Sequence, residues 1–213
     1  MAVPLLETEA PLATRSGGPS GFGAERDDAR DGESGGFALD PSRIGLWAFL
    51  GTISMLFAGF TSAYVVRRAG ADFRPFAAPS LLWWNSLALL ASSVALELAR
   101  RRLRGWDLPA ARGFLAATGI LGALFAAGQL AAWRQLAAQG VFLATNPHSS
   151  FFYVLTGLHG VHLAGGLVWF GVVRMRLSRM TLTPGQDGLG LFATYWHFLA
   201  ALWLYLALLL FVF

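Results

Sequence analysis

Five apolar runs occupy the sequence from Arg43 onward, at about residues 43 to 67, 81 to 101, 112 to 137, 150 to 175 and 188 to 213. Each is long enough to cross a hydrocarbon core of about 30 Å at about 1.5 Å of helical rise per residue. The stretches between them, RRAGADFRPFAAPS, RRLRGWDLPAAR, GVFLATNPHSS and RMRLSRMTLTPGQDG, are short and gather arginine, proline and glycine. Such punctuation ends helices and joins antiparallel neighbours. The prediction is an all-α membrane protein, a five-transmembrane-helix antiparallel bundle.

Composition agrees with lipid as the solvent. Hydrophobic residues make up 55% of the 213 and charged residues only 13%, too little polar surface for a soluble domain of this size. There is no cysteine, which removes disulfides, thiolate nucleophiles, iron-sulfur clusters and thiolate copper sites together. All 16 cations are arginines, and the net charge is +4. They cluster at the ends of apolar runs rather than along a basic face, which reads as membrane topology and not as nucleic-acid binding.

Arginine placement also predicts orientation. With the N-terminus inside, the inner face takes Arg43, Arg100, Arg101, Arg102, Arg104, Arg112, Arg174, Arg176 and Arg179, and the outer face only Arg67, Arg68, Arg74 and Arg134. The positive-inside rule then favours N-terminus inside, C-terminus outside. Residues 1–42 differ from the rest: they are rich in Gly, Ser, Asp and Glu, with Phe22 and Phe37 as the only aromatics. They are expected to be a disordered polar tail, because so little apolar surface cannot offset the entropy of ordering. Glu7 and Glu9 stand where a secretory signal needs a basic start and an apolar core, so no cleaved signal is expected.

Within the spans, small residues recur every fourth position on the third helix, at Gly119, Ala123, Ala127 and Ala131, and again at Gly160 with Ala164 and at Gly59 with Ala63. In lipid such ladders let helix backbones approach closely, so they are expected packing faces. Polar groups in the bilayer must be paired. Asn85 and Gln129 are expected in the outer half, and Glu97 is expected to pair with Arg100 and Arg101 along its own helix. No carboxylate lies deep in a span, which argues against an ion pump within this chain.

The histidines are the remaining candidates for chemistry. By helical rise, His162 lies roughly 13 Å and His197 roughly 12 Å above the inner surface, with His159 one turn above His162. His162 and His197 could therefore face each other. Two imidazoles from different helices suit a six-coordinate haem b, and they equally suit hydrogen bonds to backbone carbonyls or to Asn, Ser and Thr. A metal centre of other kinds would bring further ligands, and none are near in sequence.

Here the sequence becomes specific. SSFFYVLTGLHGVHLAGGL and ATYWHFLAALWLYLALLL resemble the paired HGxH and YWHF signatures of subunit III of cytochrome c oxidase and its relatives in the haem-copper oxidases. IGLWAFLGTISMLFAGFTSAYVVRR and LLWWNSLALLASSVALELARR resemble the first two helices of the short, five-helix bacterial form, and the resemblance runs in order over residues 43 to 213. It implies a non-catalytic subunit of a bacterial inner (cytoplasmic) membrane oxidase, with no catalytic or metal residue and no cofactor of its own. Haem and copper would sit in partner subunits.

That subunit would pack mainly on oxidase subunit I, near subunit II and a small subunit IV, hold phospholipids in a cleft between its helices, and support proton uptake and oxygen reduction. His159, His162, His197, Trp196, Asn85 and Tyr64 are the structural or lipid-cleft candidates. The family's buried Glu in a first-helix segment like FLxSExxLF is absent, since FLGTISMLF places Ile53 there. The Asp that follows YWHF is also missing, with Ala200 and Ala201 after Leu199. Ile53 removes the acid that a fourth-helix histidine of the family can pair with, leaving His197 as one candidate partner for His162. Two alternatives use the same residues: a haem-b membrane electron carrier or anchor, and a subunit III relative of a quinol oxidase or nitric oxide reductase.

Overall fold

The computed structural model describes residues 40–73, 80–179 and 188–212. Most of the expected tail, residues 1–39, lies outside the described residues, as do Arg74 and Phe213; Pro41 and Ser42 already belong to the first helix. Five helices follow one another: α1 (Pro41–Arg68), α2 (Ser80–Arg104), α3 (Leu108–Ala138), α4 (Pro147–Ser178) and α5 (Gly188–Phe211). All five are long and apolar enough to cross a membrane.

Several helices extend past their apolar runs, and the ends explain why. Prolines open three of them: Pro41 and Pro147 sit in the first turns of α1 and α4, and α3 also carries a first-turn proline. A proline fits there because its missing N–H belongs to a turn whose N–H groups have no helical partner. The residues ahead supply the caps. The Asp40 carboxylate accepts from the Ser42 amide at 3.1 Å, Asp107 from the Ala110 amide at 3.2 Å, and Asn146 forms a reciprocal capping box with Ser149. At the other ends, Arg101, Arg102 and Arg104 lie in the last turn of α2 and Arg176 in that of α4, where cations suit the helix dipole. Trp106, at φ 58°, makes the sharp left-handed turn between α2 and α3.

Cross-helix contacts define the topology. Ser92 meets Thr118, Trp133 meets Thr156, and Tyr195 meets His162, so α2/α3, α3/α4 and α4/α5 run antiparallel. Ser92 and Ser86 meet Trp196 and Trp203 respectively, which makes α2 and α5 antiparallel too. The helices α2 to α5 thus close into a ring of four. Among the described residues α1 stays outside that ring, packing on α4 and α5 through Leu46, Leu50, Ile53, Phe57 and Tyr64, and meeting neither α2 nor α3.

Two indole–serine bonds tie the ring across its middle. Trp196 Nε1 donates to Ser92 Oγ at 3.1 Å, and Ser92 in turn donates to the Thr118 carbonyl at 2.9 Å. Seven residues on, Trp203 Nε1 donates to Ser86 Oγ at 2.9 Å, and that hydroxyl donates to the Leu82 carbonyl. Glycine makes room for these rings: a Cβ at Gly122 would lie 2.8 Å from the Trp196 indole. Similarly, Asn85 fills the space left by the absent side chain of Gly128, and Phe170 that of Gly119.

The contact face of α3 is therefore rotated from the expected ladder. Gly119 does meet α4, but Ala123 and Ala127 face outward, and the buried line runs through Leu115, Thr118, Gly122, Phe125, Gln129 and Ala132. Ser92→Ala should leave the Trp196 N–H buried without an acceptor and cost about 1–3 kcal/mol. Trp196→Phe in the Ser92→Ala background should then cost less than Trp196→Phe alone. A double-mutant cycle by unfolding in mixed detergent micelles measures this, and strict additivity would contradict a cross-ring bond.

Candidate functional site

Three residues turn a helix by about 300°, so His159 and His162 leave α4 about 60° apart. That divergence sends them to different neighbours. His159 is 1% exposed and lies between the rings of Phe125 on α3 and Trp203 on α5, at centroid distances of 6.1 and 5.3 Å. Neither of its ring nitrogens has a hydrogen-bond partner among the described residues. His162 turns toward α1, with its ring 6.5 Å from that of Phe49 and 6.0 Å from that of Phe57.

The hydrogen-bonding of His162 is local. Its Nδ1–H donates to the Leu158 carbonyl one turn back at 2.8 Å, and its own carbonyl accepts from the Tyr195 hydroxyl at 2.8 Å. Ile53 is buried on the same face of α1, one turn from Phe49 and one from Phe57. Hydrocarbon from Phe49 and Phe57, with Ile53 one turn from each, thus makes up the face of α1 toward this imidazole. His197 is not the partner: it is half-buried on α5, within electrostatic reach of Glu97 and Arg100 on α2. Glu97 itself pairs along α2 with Arg100 at 2.9 Å and Arg101 at 3.4 Å.

The imidazoles therefore do not converge on a common position as haem ligands would. Among the described residues, no three His, Asp or Glu side chains gather as a metal-binding group. Trp196 spans the ring to Ser92, Asn85 packs on Gly128, and Tyr64 sits among the rings of Phe73, Phe151 and His148 near the α3–α4 connection. Gly160 and Gly59 have open space where a Cβ would point, and Ala164 and Ala63 are exposed, so these pairs present small residues outward.

Sequence reasoning passed over His148. It is fully buried in the first turn of α4, and its Nε2–H donates to the Leu210 carbonyl at 3.1 Å, joining the start of α4 to the end of α5. Its place just inside the Asn146–Pro147 cap was the available signal, since a polar residue at a helix start beside an apolar terminus has few other acceptors.

Three concavities lie beside these residues. Between α3 and α4 a groove of about 340 Å³ is lined by Gln129, Trp133, His159, Gly160 and their neighbours. Along α5, Leu191 and Thr194 line a basin of about 300 Å³ with Arg43, Trp47 and Arg100, and Phe198, Leu202 and Tyr205 continue the same helix face into a second hollow of about 310 Å³ beside Ser54 and Ala58 of α1.

A family model described as cytochrome c oxidase subunit III matches residues 42–213. The chain is 30% identical over 167 residues to a probable cytochrome c oxidase subunit 3 of Nocardia farcinica, covering 76% of this chain and 82% of the relative. It is 32% identical over 172 residues to a cytochrome c oxidase subunit 3 of Alkalihalophilus pseudofirmus, with the same coverage of 76% and 82%. A cytochrome bo(3) ubiquinol oxidase subunit 3 of Pseudomonas putida is 26% identical over 166 residues, covering 76% of this chain and 80% of the relative.

Placing a carboxyl at position 53 tests the reading of this face. Ile53→Glu should destabilise less with His162 present than in a His162→Phe background, with a coupling of about 1.5–3 kcal/mol for a hydrogen bond to a charged group. Unfolding in detergent of the four proteins of the cycle gives that number. A coupling near zero would mean that the two side chains do not meet.

Proposed function

The chain belongs to the cytochrome c oxidase subunit III family, and from that premise we propose that it is the accessory, non-catalytic subunit of a haem-copper terminal oxidase in a bacterial inner membrane. In this reading it packs on subunit I, with subunit II and a small subunit IV nearby, and haem and copper belong to subunits I and II. The observation that carries it is the use made of the HGxH pair: His162 spends its Nδ1 proton on its own helix and its ring on α1, and His159 is enclosed by Phe125 and Trp203. In this reading, imidazoles so placed serve as packing groups between helices rather than as ligands.

Phospholipid binding has its own support. The basin on α5 brings two guanidinium-bearing side chains, Arg43 from α1 and Arg100 from α2, to one end of an apolar trough, with Trp47 beside them. A lipid phosphate would take the arginines and its acyl chain would lie along Phe198 and Leu202 toward Tyr205. The arginine count that puts these residues on the cytoplasmic side favours anionic lipid there. Both the cytochrome c and the ubiquinol oxidase names occur among the relatives, and the five spans and trough are compatible with either donor.

An affinity tag on this chain should bring down oxidase subunits I and II from native membranes, with haem absorbance in the complex. The chain purified alone should show no Soret band. His162→Ala should leave the haem spectrum of the assembled complex unchanged while lowering the amount of this subunit retained after detergent washing. A dithionite-sensitive haem spectrum in the isolated chain would overturn the accessory reading in favour of a haem-b carrier.

A further inference from the structure

The end of α2 carries four arginines, and one of them is placed differently from the rest. Arg101, Arg102 and Arg104 are exposed, as cations at a membrane surface are. The Arg100 side chain is only 25% exposed and lines the basin on α5 with Arg43, Gly190 and Thr194. Its two terminal nitrogens have separate surroundings. Nη1 donates to the Glu97 carboxylate at 2.9 Å. Nη2 lies over the first turn of α5, 4.0 Å from where a Cβ of Gly190 would stand.

Glycine at position 190 keeps that space open, since a long side chain there would lie against the guanidinium edge that Glu97 leaves unused. The Thr194 hydroxyl is spent on the Gly190 carbonyl at 3.1 Å. That leaves the guanidiniums of Arg43 and Arg100, with the Trp47 indole, to receive an anion in the basin.

Glu97 stands where charge alone would not put it, because a carboxylate repels phosphate. Two effects oppose each other. The Glu97 charge is shared between Arg100 and Arg101, the latter at 3.4 Å, so two cations offset it before it acts on the basin. Holding Nη1, in turn, removes much of the rotamer freedom of a long side chain before any ligand arrives. Orientation therefore outweighs repulsion. We infer that Glu97 is a positioning residue for a lipid-phosphate site: it holds Arg100 so that Nη2 faces the open space over Gly190, where the phosphodiester of an anionic phospholipid meets it. The inference rests on the phospholipid reading of the basin and adds which acid and which glycine shape the site.

Native mass spectrometry tests this on the tagged full-length chain, released from micelles that hold equal amounts of phosphatidylglycerol and phosphatidylcholine with identical acyl chains. Wild type should retain phosphatidylglycerol severalfold over phosphatidylcholine. Gly190→Leu, which keeps every charge and fills the space, should abolish that preference. Glu97→Leu should lower it severalfold even though the chain becomes more cationic, and Glu97→Gln, which keeps an oxygen for Nη1, should restore much of it. A site governed by charge alone gives the reverse: a preference that rises in Glu97→Leu and is unchanged in Gly190→Leu. Both Glu97 variants alter a partly exposed side chain, so they keep the test decisive if Gly190→Leu folds poorly. If Arg100→Leu removes the wild-type preference while Glu97→Leu keeps or raises it, the positioning role is overturned and the lipid site stands. If wild type shows no preference, the phospholipid reading of the basin fails and the positioning role with it.

Discussion

Everything in the ring of α2 to α5 depends on two tryptophans of the last helix reaching serines of the second. Hydrophobic burial gives helices little reason to associate within lipid, so specific contacts must supply it. The indoles of Trp196 and Trp203 do so in two ways. Their rings fill the centre of the bundle, against Gly122 and Phe125 of α3, and their N–H groups reach Ser92 and Ser86. A buried indole without an acceptor is costly, so the rings lock the rotation of α5 about its own axis as well as its distance from α2. Ser92, by passing its own proton to the Thr118 carbonyl, extends the lock to α3.

The spans were legible in the sequence because their length is set by the bilayer, and the polar caps around Asp40, Asp107 and Asn146 explain where the ends differ. Which face of each helix turns inward was far less legible. A helix in lipid is apolar all round, so the contrast that marks the core of a soluble protein is missing. The small-residue ladder of α3 misled by about one position for that reason: Ala123 and Ala127 are as comfortable in lipid as in a helix contact. The better marker was the sparse polar set. Asn85, Ser86, Ser92, Thr118, Gln129, Thr156 and His159 are all buried, and the line through them traces the interior of the ring.

The histidine site shows the same limit from another side. Depth placed His162 and His197 level, and depth alone cannot tell which way a side chain leaves its helix. His162 points to α1 and His197 toward the Glu97–Arg100 end of α2, so their equal heights carry no contact. The His162 imidazole has a simple local partner: it donates to the carbonyl one turn back, an acceptor that every helix offers. The Nδ1 proton is therefore not orphaned on this face, and α1 meets α4 here through apolar packing.

Apolar packing matters for α1 more than for any other helix. The ring has internal hydrogen bonds on every side, whereas the contacts of α1 include the aromatic ones of Phe49, Phe57 and Tyr64 and an exposed bond in which the Tyr205 hydroxyl donates to Thr61. Stacked and edge-on rings each contribute about 0.5–1.5 kcal/mol beyond their burial, without the directional cost of a broken polar pair. They tolerate sliding that a Trp–Ser bond does not. The two hollows along α5 lie on this α1/α5 seam, and the groove between α3 and α4 belongs to the rigid ring. A seam of aromatic contacts can adapt to what fills those hollows, whereas the ring is fixed in rotation and register by its indole–serine bonds.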